Sequence, residues 1–192
     1  HLGYGKENPD YWKRHKAAIS FLASYTGPIT LYYGEEIGME CDGYVDREDT
    51  IEGHVVADDN ISRMPGRIPL DGTFTEQEQD LHDYTQKLMK LRSENPALWN
   101  GNRTHLFSTM TKYADLKEHG NNKVIYLLNT GTSQESFQLQ ESQIGKVVLI
   151  DGLTGEKISS SGGKYTIPVD GLSARFLLIT QKSSGSEPSS SS

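Results

Sequence analysis

Residues 27–36, GPITLYYGEE, combine a helix-stopping Gly-Pro pair, a short β-rich run and a polar ending. Ile29–Tyr33 shows no polar alternation, which is typical of a strand that buries both faces in a helix-covered parallel sheet. Upstream, residues 8–26 are predicted to form a helix, with Asn8 as N-cap and Pro9 in the first helical position. Helix, short break, buried strand and polar loop together form the α-to-β half of a repeating β/α unit.

The next segments are a long loop and a second helix. The first helix is predicted to bury the residues that recur at spacings of four and three, namely Tyr11, His15, Ala18, Leu22 and Tyr25. Residues 38–74 are irregular and rich in Gly, Asp and Pro, and a connection this long in a compact domain is usually functional or disordered. The run Thr75-Glu76-Gln77-Glu78 is a capping box that predicts a helix start, and Asn95-Pro96 predicts its end.

From Arg103 onward the pattern changes from helical to strand-like. Strands are predicted at 103–109, 123–129, 134–140, 146–151, 164–168 and 174–180, many of them separated by Gly- and Asn-rich turns. Short strands at this spacing predict an antiparallel sandwich. The predicted division of the chain is therefore 1–100 for the α/β part, 101–182 for the β-domain, and 183–192 for a Ser-rich linker or tail.

Charge and composition exclude several classes of partner. The net charge of −7 disfavours binding to nucleic acid, and no apolar run is long enough to predict a membrane span. Cys41 is the only cysteine, so an intrachain disulfide or a cysteine metal cage is excluded. No metal site is predicted: the six histidines lack metal-ligand spacing, and the acidic group at 42, 46, 48 and 49 lacks EF-hand spacing. No part of the sequence indicates a compartment.

Residues 27–39, GPITLYYGEEIGM, resemble the eighth barrel strand of glycoside hydrolase family 13, the α-amylase family. The order of the downstream segments agrees with that resemblance. Asp59-Asn60 with Arg63-Met64-Pro65 is similar to the loop after this strand, and residues 84–98, YTQKLMKLRSENPAL, resemble the last barrel helix. Leu172–Phe176 is similar to the final strand of the family's C-terminal β-domain.

The resemblance implies a fold of the α/β plus all-β class: the C-terminal fragment of a TIM (β/α)8 barrel followed by an antiparallel β-sandwich. It implies part of a retaining glycoside hydrolase that acts on α-glucosidic bonds of starch-type oligo- or polysaccharides. Such an enzyme needs no cofactor, because carboxylates do the covalent and proton-transfer work. The implied partners are an α-glucan or maltooligosaccharide substrate and the N-terminal remainder of the barrel. The family's catalytic carboxylates lie on strands four, five and seven, so no catalytic residue is expected in this chain.

The candidate substrate-binding residues are Arg63 and Asn60. A guanidinium offers a planar fork of donors that suits sugar hydroxyls, although Arg63 could equally pair with a neighbouring Asp of its own loop. Glu35 and Glu36 lie at the end of the predicted barrel strand, where active-site loops gather. Adjacent side chains leaving a strand point to opposite faces, so this pair is interpreted as structural and not catalytic.

Four aromatic residues could stack on sugar rings, but they are expected to belong to a core or to an interdomain packing face: Trp12, Tyr32, Tyr33 and Trp99. Two other classes of function remain open at the level of sequence. One is a non-catalytic carbohydrate-binding or structural module derived from the same family. The other is a catalytically silent relative that retains the fold for binding protein partners.

Overall fold

The computed structural model describes residues 8–39, 49–51, 54–56 and 72–180. Its helical half contains, in chain order, α1 (Tyr11–Ser24), a 3₁₀ turn (Glu35–Ile37), the paired strands β1 (Asp49–Ile51) and β2 (His54–Val56), α2 (Glu76–Glu94) and α3 (Pro96–Asn100). The β half contains β3 (Asn102–Ser108), β4 (Lys112–His119), β5 (Asn122–Asn129), β6 (Glu135–Gln140), α4 (Glu141–Ile144), β7 (Val148–Asp151), β8 (Lys157–Ile158), β9 (Lys164–Val169) and β10 (Ser173–Thr180).

The predicted start of α2 is confirmed at the level of individual hydrogen bonds. The Glu78 backbone N–H donates to the Thr75 hydroxyl at 3.3 Å, and the Thr75 N–H donates to the Glu78 carboxylate at 2.8 Å. These bonds satisfy two of the donors that a helix start leaves without intrahelical partners. The helix ends at Asn95, as predicted, and Pro96 begins α3, which the sequence did not predict.

The β half is an antiparallel sandwich, which confirms the predicted architecture. A six-stranded sheet has the order β3-β4-β5-β10-β7-β8, and a two-stranded sheet pairs β6 with β9. All six predicted strands are present within two residues of their predicted ends. The prediction missed β4, the short β8 and the one-turn helix α4.

The six-stranded sheet buries both of its faces. Toward the two-stranded sheet it contributes residues such as Leu116, Ile125 and Leu127 to a core that lies wholly within the sandwich. The alternate residues of the same strands point the other way. Tyr126 of β5 and Phe176 of β10 pack against α1, α2 and α3 in a second core. The period of two along each strand therefore divides its side chains between an intradomain core and a core shared with the helices.

Two predictions for the first helix are wrong. The helix begins at Tyr11 with Asp10 as N-cap, while the Asn8 side chain accepts a hydrogen bond from the Asp10 N–H at 2.9 Å. Its buried residues are Ile19, Ser20, Ala23 and Ser24, whereas Ala18, Leu22 and Tyr25 of the predicted stripe are exposed. Because α1 carries apolar residues on both sides, periodicity alone could not tell which side contacts α2 and the sheet.

The predicted strand Ile29–Tyr33 is not a strand in this structure. Residues 28–32 have no regular secondary structure, and within the described ranges no strand pairs with them. A β-strand is defined by hydrogen bonds to a neighbour, so a β-rich run without one cannot form a ladder. The local sequence pattern was therefore insufficient to make a strand.

Candidate functional site

The 3₁₀ turn Glu35–Ile37 is held in place by α1 and α2. The Tyr11 hydroxyl donates to the Gly38 carbonyl at 3.0 Å, and Ile37 is buried. Gly38 has φ of +61°, and a Cβ there would come within 2.9 Å of the Trp12 ring and 3.2 Å of Leu81. A glycine is needed at this position for two reasons, the left-handed backbone and the close approach of the two helices. The turn is therefore anchored to both helices.

Glu35 belongs to this turn and pairs with α1. His15 Nε2 lies 3.1 Å from Glu35 Oε2, with the imidazole only 16% exposed. The adjacent His15 side chain lowers the pKa of the Glu35 carboxyl, and partial burial opposes that effect. This contact agrees with the interpretation of Glu35 as a structural carboxylate and with the prediction that His15 is packed. Glu36 is half-buried in the same turn.

Arg92 of α2 connects its own helix to two other segments of backbone, residues 23–27 and α3. Its Nη1 donates to the carbonyls of Ala23 and Tyr25 at 2.7 Å and of Leu98 at 3.1 Å, and its Nη2 donates to the carbonyl of Gly27. The last carbonyls of a helix have no intrahelical partners, so a buried guanidinium here caps α1. Burial lowers the pKa of Arg92 from its usual value. The sequence pattern did not predict a buried cation at this position.

Six large apolar side chains of α1, of the segment that follows it and of α3 are exposed, and we call them the uncovered face: Phe21, Leu22, Tyr25, Tyr32, Tyr33 and Trp99. Tyr25, Tyr32 and Tyr33 are 58%, 60% and 52% exposed, and Trp99 is 43% exposed. The Gly27 N–H donates to the Trp99 carbonyl at 2.8 Å, which brings α3 beside this end of α1. Of the four aromatic residues expected to be packed, Tyr32, Tyr33 and Trp99 are therefore exposed in this chain. Large apolar side chains left exposed on adjacent elements of the chain are typical of interaction surfaces.

The β half contains two further groups of paired charged side chains, one on the face of the sheet that packs against the helices and one near the border with the helices. Lys117 Nζ lies 3.6 Å from Asp115 Oδ2, both side chains are buried, and the Tyr113 hydroxyl donates to the same carboxylate at 3.0 Å. Burial raises the pKa of Asp115 and lowers that of Lys117, because desolvation disfavours both charged forms. Arg175 of β10 donates to Asp151 at 2.7 Å. Buried ion pairs of this kind are structural features of the β-domain.

The predicted sugar contacts Arg63 and Asn60 lie outside the described residues, as do Cys41 and the acidic residues 42, 46 and 48. Both sugar contacts remain predictions. Within the described ranges there is no group of three His, Cys, Asp or Glu side chains that could hold a metal ion. Among the same residues, no helix has the length and apolarity that crossing a membrane requires.

No protein-family model matches the chain. Among curated proteins, α-amylase 2 of Dictyoglomus thermophilum is 28% identical over 124 residues, which covers 65% of this chain and 20% of that protein. Neopullulanase 2 of Thermoactinomyces vulgaris is 26% identical over 156 residues, which covers 80% of this chain and 23% of that protein. The chain therefore spans about a fifth of the length of these curated relatives.

Solved structures give a closer match. The structure of a variant of AmyP in complex with maltotriose superposes with a TM-score of 0.83 and 38% identity, over 93% of this chain and 37% of that one. The chain matches the C-terminal part of the α-amylase family, glycoside hydrolase family 13. The α-amylase of Geobacillus thermoleovorans, 20% identical with a TM-score of 0.69, shares the fold. The α-amylase-family fold continues through the β-sandwich that follows the barrel, as the resemblance implied.

Proposed function

We propose that this chain is the C-terminal part of a retaining glycoside hydrolase acting on α-glucosidic bonds of starch-type oligo- or polysaccharides, and that it lacks the catalytic carboxylates. The substrate class is supported by AmyP, whose structures contain maltotriose and maltose, and by the names of the curated relatives. The chain spans 37% of AmyP, so the remaining parts of such an enzyme lie in sequence other than these 192 residues.

The observation that carries the proposal is the uncovered face. Two of its aromatic residues, Tyr32 and Tyr33, belong to the segment that resembles the eighth barrel strand, and that segment has no strand beside it in the described ranges. A barrel supplies both missing elements at once: strands on either side to pair with Ile29–Tyr33, and apolar side chains to cover Tyr25 and Trp99. The N-terminal remainder of the barrel is therefore the proposed partner of this surface.

The carboxylates at the end of the strand-eight segment do not fit a catalytic pair. Retaining hydrolysis needs two carboxyl groups about 5–5.5 Å apart on opposite sides of one bond. The Glu35 carboxylate lies 3.1 Å from Nε2 of His15 in α1, and Glu36 is the next residue of the same turn. The proposed role of the turn is to anchor the following loop, in which Asn60 and Arg63 are the proposed sugar contacts.

Reconstitution tests this proposal. We expect the chain mixed with the upstream barrel segment, produced from the same gene, to hydrolyse maltoheptaose with retention of the α-anomer, and the chain alone to be inactive. Tyr32→Asp should weaken the complex, because it places a charge in the uncovered face. Met110→Asp is the matched control, since Met110 is 98% exposed in a turn of the β-domain. Turnover by the chain alone, or equal effects of the two substitutions, would contradict the proposal.

A further inference from the structure

A cleft of about 570 Å³ lies between the helices and the β-domain. This volume falls within the range of about 300–1,000 Å³ that is typical of small-molecule sites. The helical wall includes Lys16 of α1 together with Asp80, Asp83 and Lys87 of α2. The spacing of three and four residues places the α2 side chains on one face of that helix. Lys16 Nζ contacts Asp80 Oδ2 at 2.6 Å, so the two helices present paired charges along this wall.

The opposite wall is polar and held by its own hydrogen bonds. Gln134 Nε2 donates to Asp170 Oδ1 at 2.7 Å, and Arg175 Nη2 donates to Glu156 Oε2 at 2.6 Å. Leu153 adds an apolar patch to the same wall. These bonds hold the side chains of this wall in place before a ligand binds, which reduces the conformational entropy lost on binding.

The charges of the lining favour a neutral ligand. Five carboxylates face three cationic side chains, so the cleft disfavours phosphorylated or carboxylated ligands. Most of these charges already have a partner in the protein. A paired carboxylate still has lone pairs to accept further hydrogen bonds, and a lysine ammonium has three donors. A sugar hydroxyl, which both donates and accepts, can add to such groups without separating the pairs.

We infer that this cleft binds a maltooligosaccharide, a neutral polyol whose chemical class rests on the proposed function. Gln134 and Lys87 face the ligand from opposite walls, and Leu153 lies against a sugar ring. The cleft is open along one side, so the affinity is expected to be weak, with Kd on the order of 1 mM.

The inference is tested by titrating the 15N-labelled 192-residue chain with maltotriose and recording amide NMR shifts. Saturable shifts are expected along residues 83–87, 134 and 170. Lys87→Ala and Gln134→Ala should each raise Kd by about fivefold, through loss of one hydrogen bond. The matched controls Lys90→Ala and Gln138→Ala remove the same side chains from exposed positions outside the cleft and should leave Kd unchanged.

Several results would overturn the inference: no saturable shifts, equal effects of the cleft and control substitutions, or saturation by calcium chloride with no response to maltotriose. Reconstituted hydrolysis is measured separately. Hydrolysis without binding in the cleft would reject the inference and keep the proposed function. Binding in the cleft without hydrolysis would support the inference and reject the proposed function.

Discussion

Replacement of Arg92 by methionine should be the most damaging single change in the helical half. Methionine keeps most of the aliphatic stem but removes the guanidinium, which is bonded to the carbonyls of Ala23, Tyr25, Gly27 and Leu98. These carbonyls lie at the end of α1, in the residues just before Ile29–Tyr33, and in α3. Arg92 is 7% exposed, so water cannot take over all of its bonds.

The expected loss of stability is the free energy of these hydrogen bonds less the cost of burying the guanidinium. A hydrogen bond to a charged group contributes about 1.5–3 kcal/mol, but four such bonds from one guanidinium do not add. The substitution also removes the cost of burying a cation. A buried acceptor left without a donor costs about 1–3 kcal/mol, and since the costs of the four carbonyls do not add, we expect a loss of about 3–5 kcal/mol in the free energy of unfolding. For a chain of this size, the corresponding fall in Tm is on the order of 10 °C.

Urea unfolding followed by far-UV circular dichroism measures this loss. Arg92→Lys should recover less than half of it, because one ammonium cannot reach all four carbonyls. Lys90→Met removes an exposed cation from the same helix and should change stability by less than about 0.5 kcal/mol. A loss below about 1 kcal/mol for Arg92→Met would refute the reasoning, since it would mean that the carbonyls find other donors.

Three further changes probe the capping box, the β-domain and the 3₁₀ turn. Thr75→Ala should cost about 1 kcal/mol in urea unfolding, because it removes the N-cap acceptor of α2. Gly171→Ala should cost at least about 1–3 kcal/mol in the same assay, since its Cβ would lie 2.2 Å from the Thr132 carbonyl oxygen, a backbone atom. Glu35→Gln should cost about 0.2–1 kcal/mol at neutral pH. The pKa of Glu35 is lowered in the folded state, so this difference should persist above the ordinary value of 4.5 and disappear as pH falls through the folded pKa.

Each of these changes has a matched control. Thr75→Ser keeps the hydroxyl and should retain most of the capping. Gly152→Ala meets the side chain of Leu91, which can move, and should cost less than Gly171→Ala. Glu36→Gln alters the neighbouring carboxyl and should cost less stability at neutral pH than Glu35→Gln. A Gly171→Ala protein as stable as wild type, or a Glu35→Gln difference independent of pH, would contradict the reasoning.

The sequence was sufficient to predict those helices and strands that are specified by residues close together in the chain. The capping box of α2 and the alternating strands of the sandwich needed only neighbouring residues, and they are present as predicted. Strand β4 was missed because its run KYADLKEH looks polar. Asp115 and Lys117 face the helices and are buried together, and a charged residue rarely predicts a buried position.

The misassigned features depend on contacts that sequence periodicity does not specify. Both sides of α1 carry apolar residues, and two of the five residues predicted to be buried, Leu22 and Tyr25, belong to the uncovered face. Ile29–Tyr33 has the composition of a buried strand but no strand to pair with in the described ranges. The four-carbonyl role of Arg92 depends on α1, α2 and α3 meeting in space, which no local pattern encodes. Of the candidate site, the sequence predicted that a polar loop begins at Glu35 and that His15 is packed, but it did not predict the 3₁₀ turn.

The second core has a practical consequence for the exchange of β-domains between related proteins. A chimera joined near residue 101 would combine the helices of one protein with the β-sheet of another. In this chain, Tyr126 and Phe176 of the sheet pack in the same core as Ile19 and Leu88 of the helices. Mismatched side chains there would leave voids or overlaps at the centre of the hybrid. The transferable module therefore extends back through α2 to α1, and the crossover belongs upstream of Tyr11.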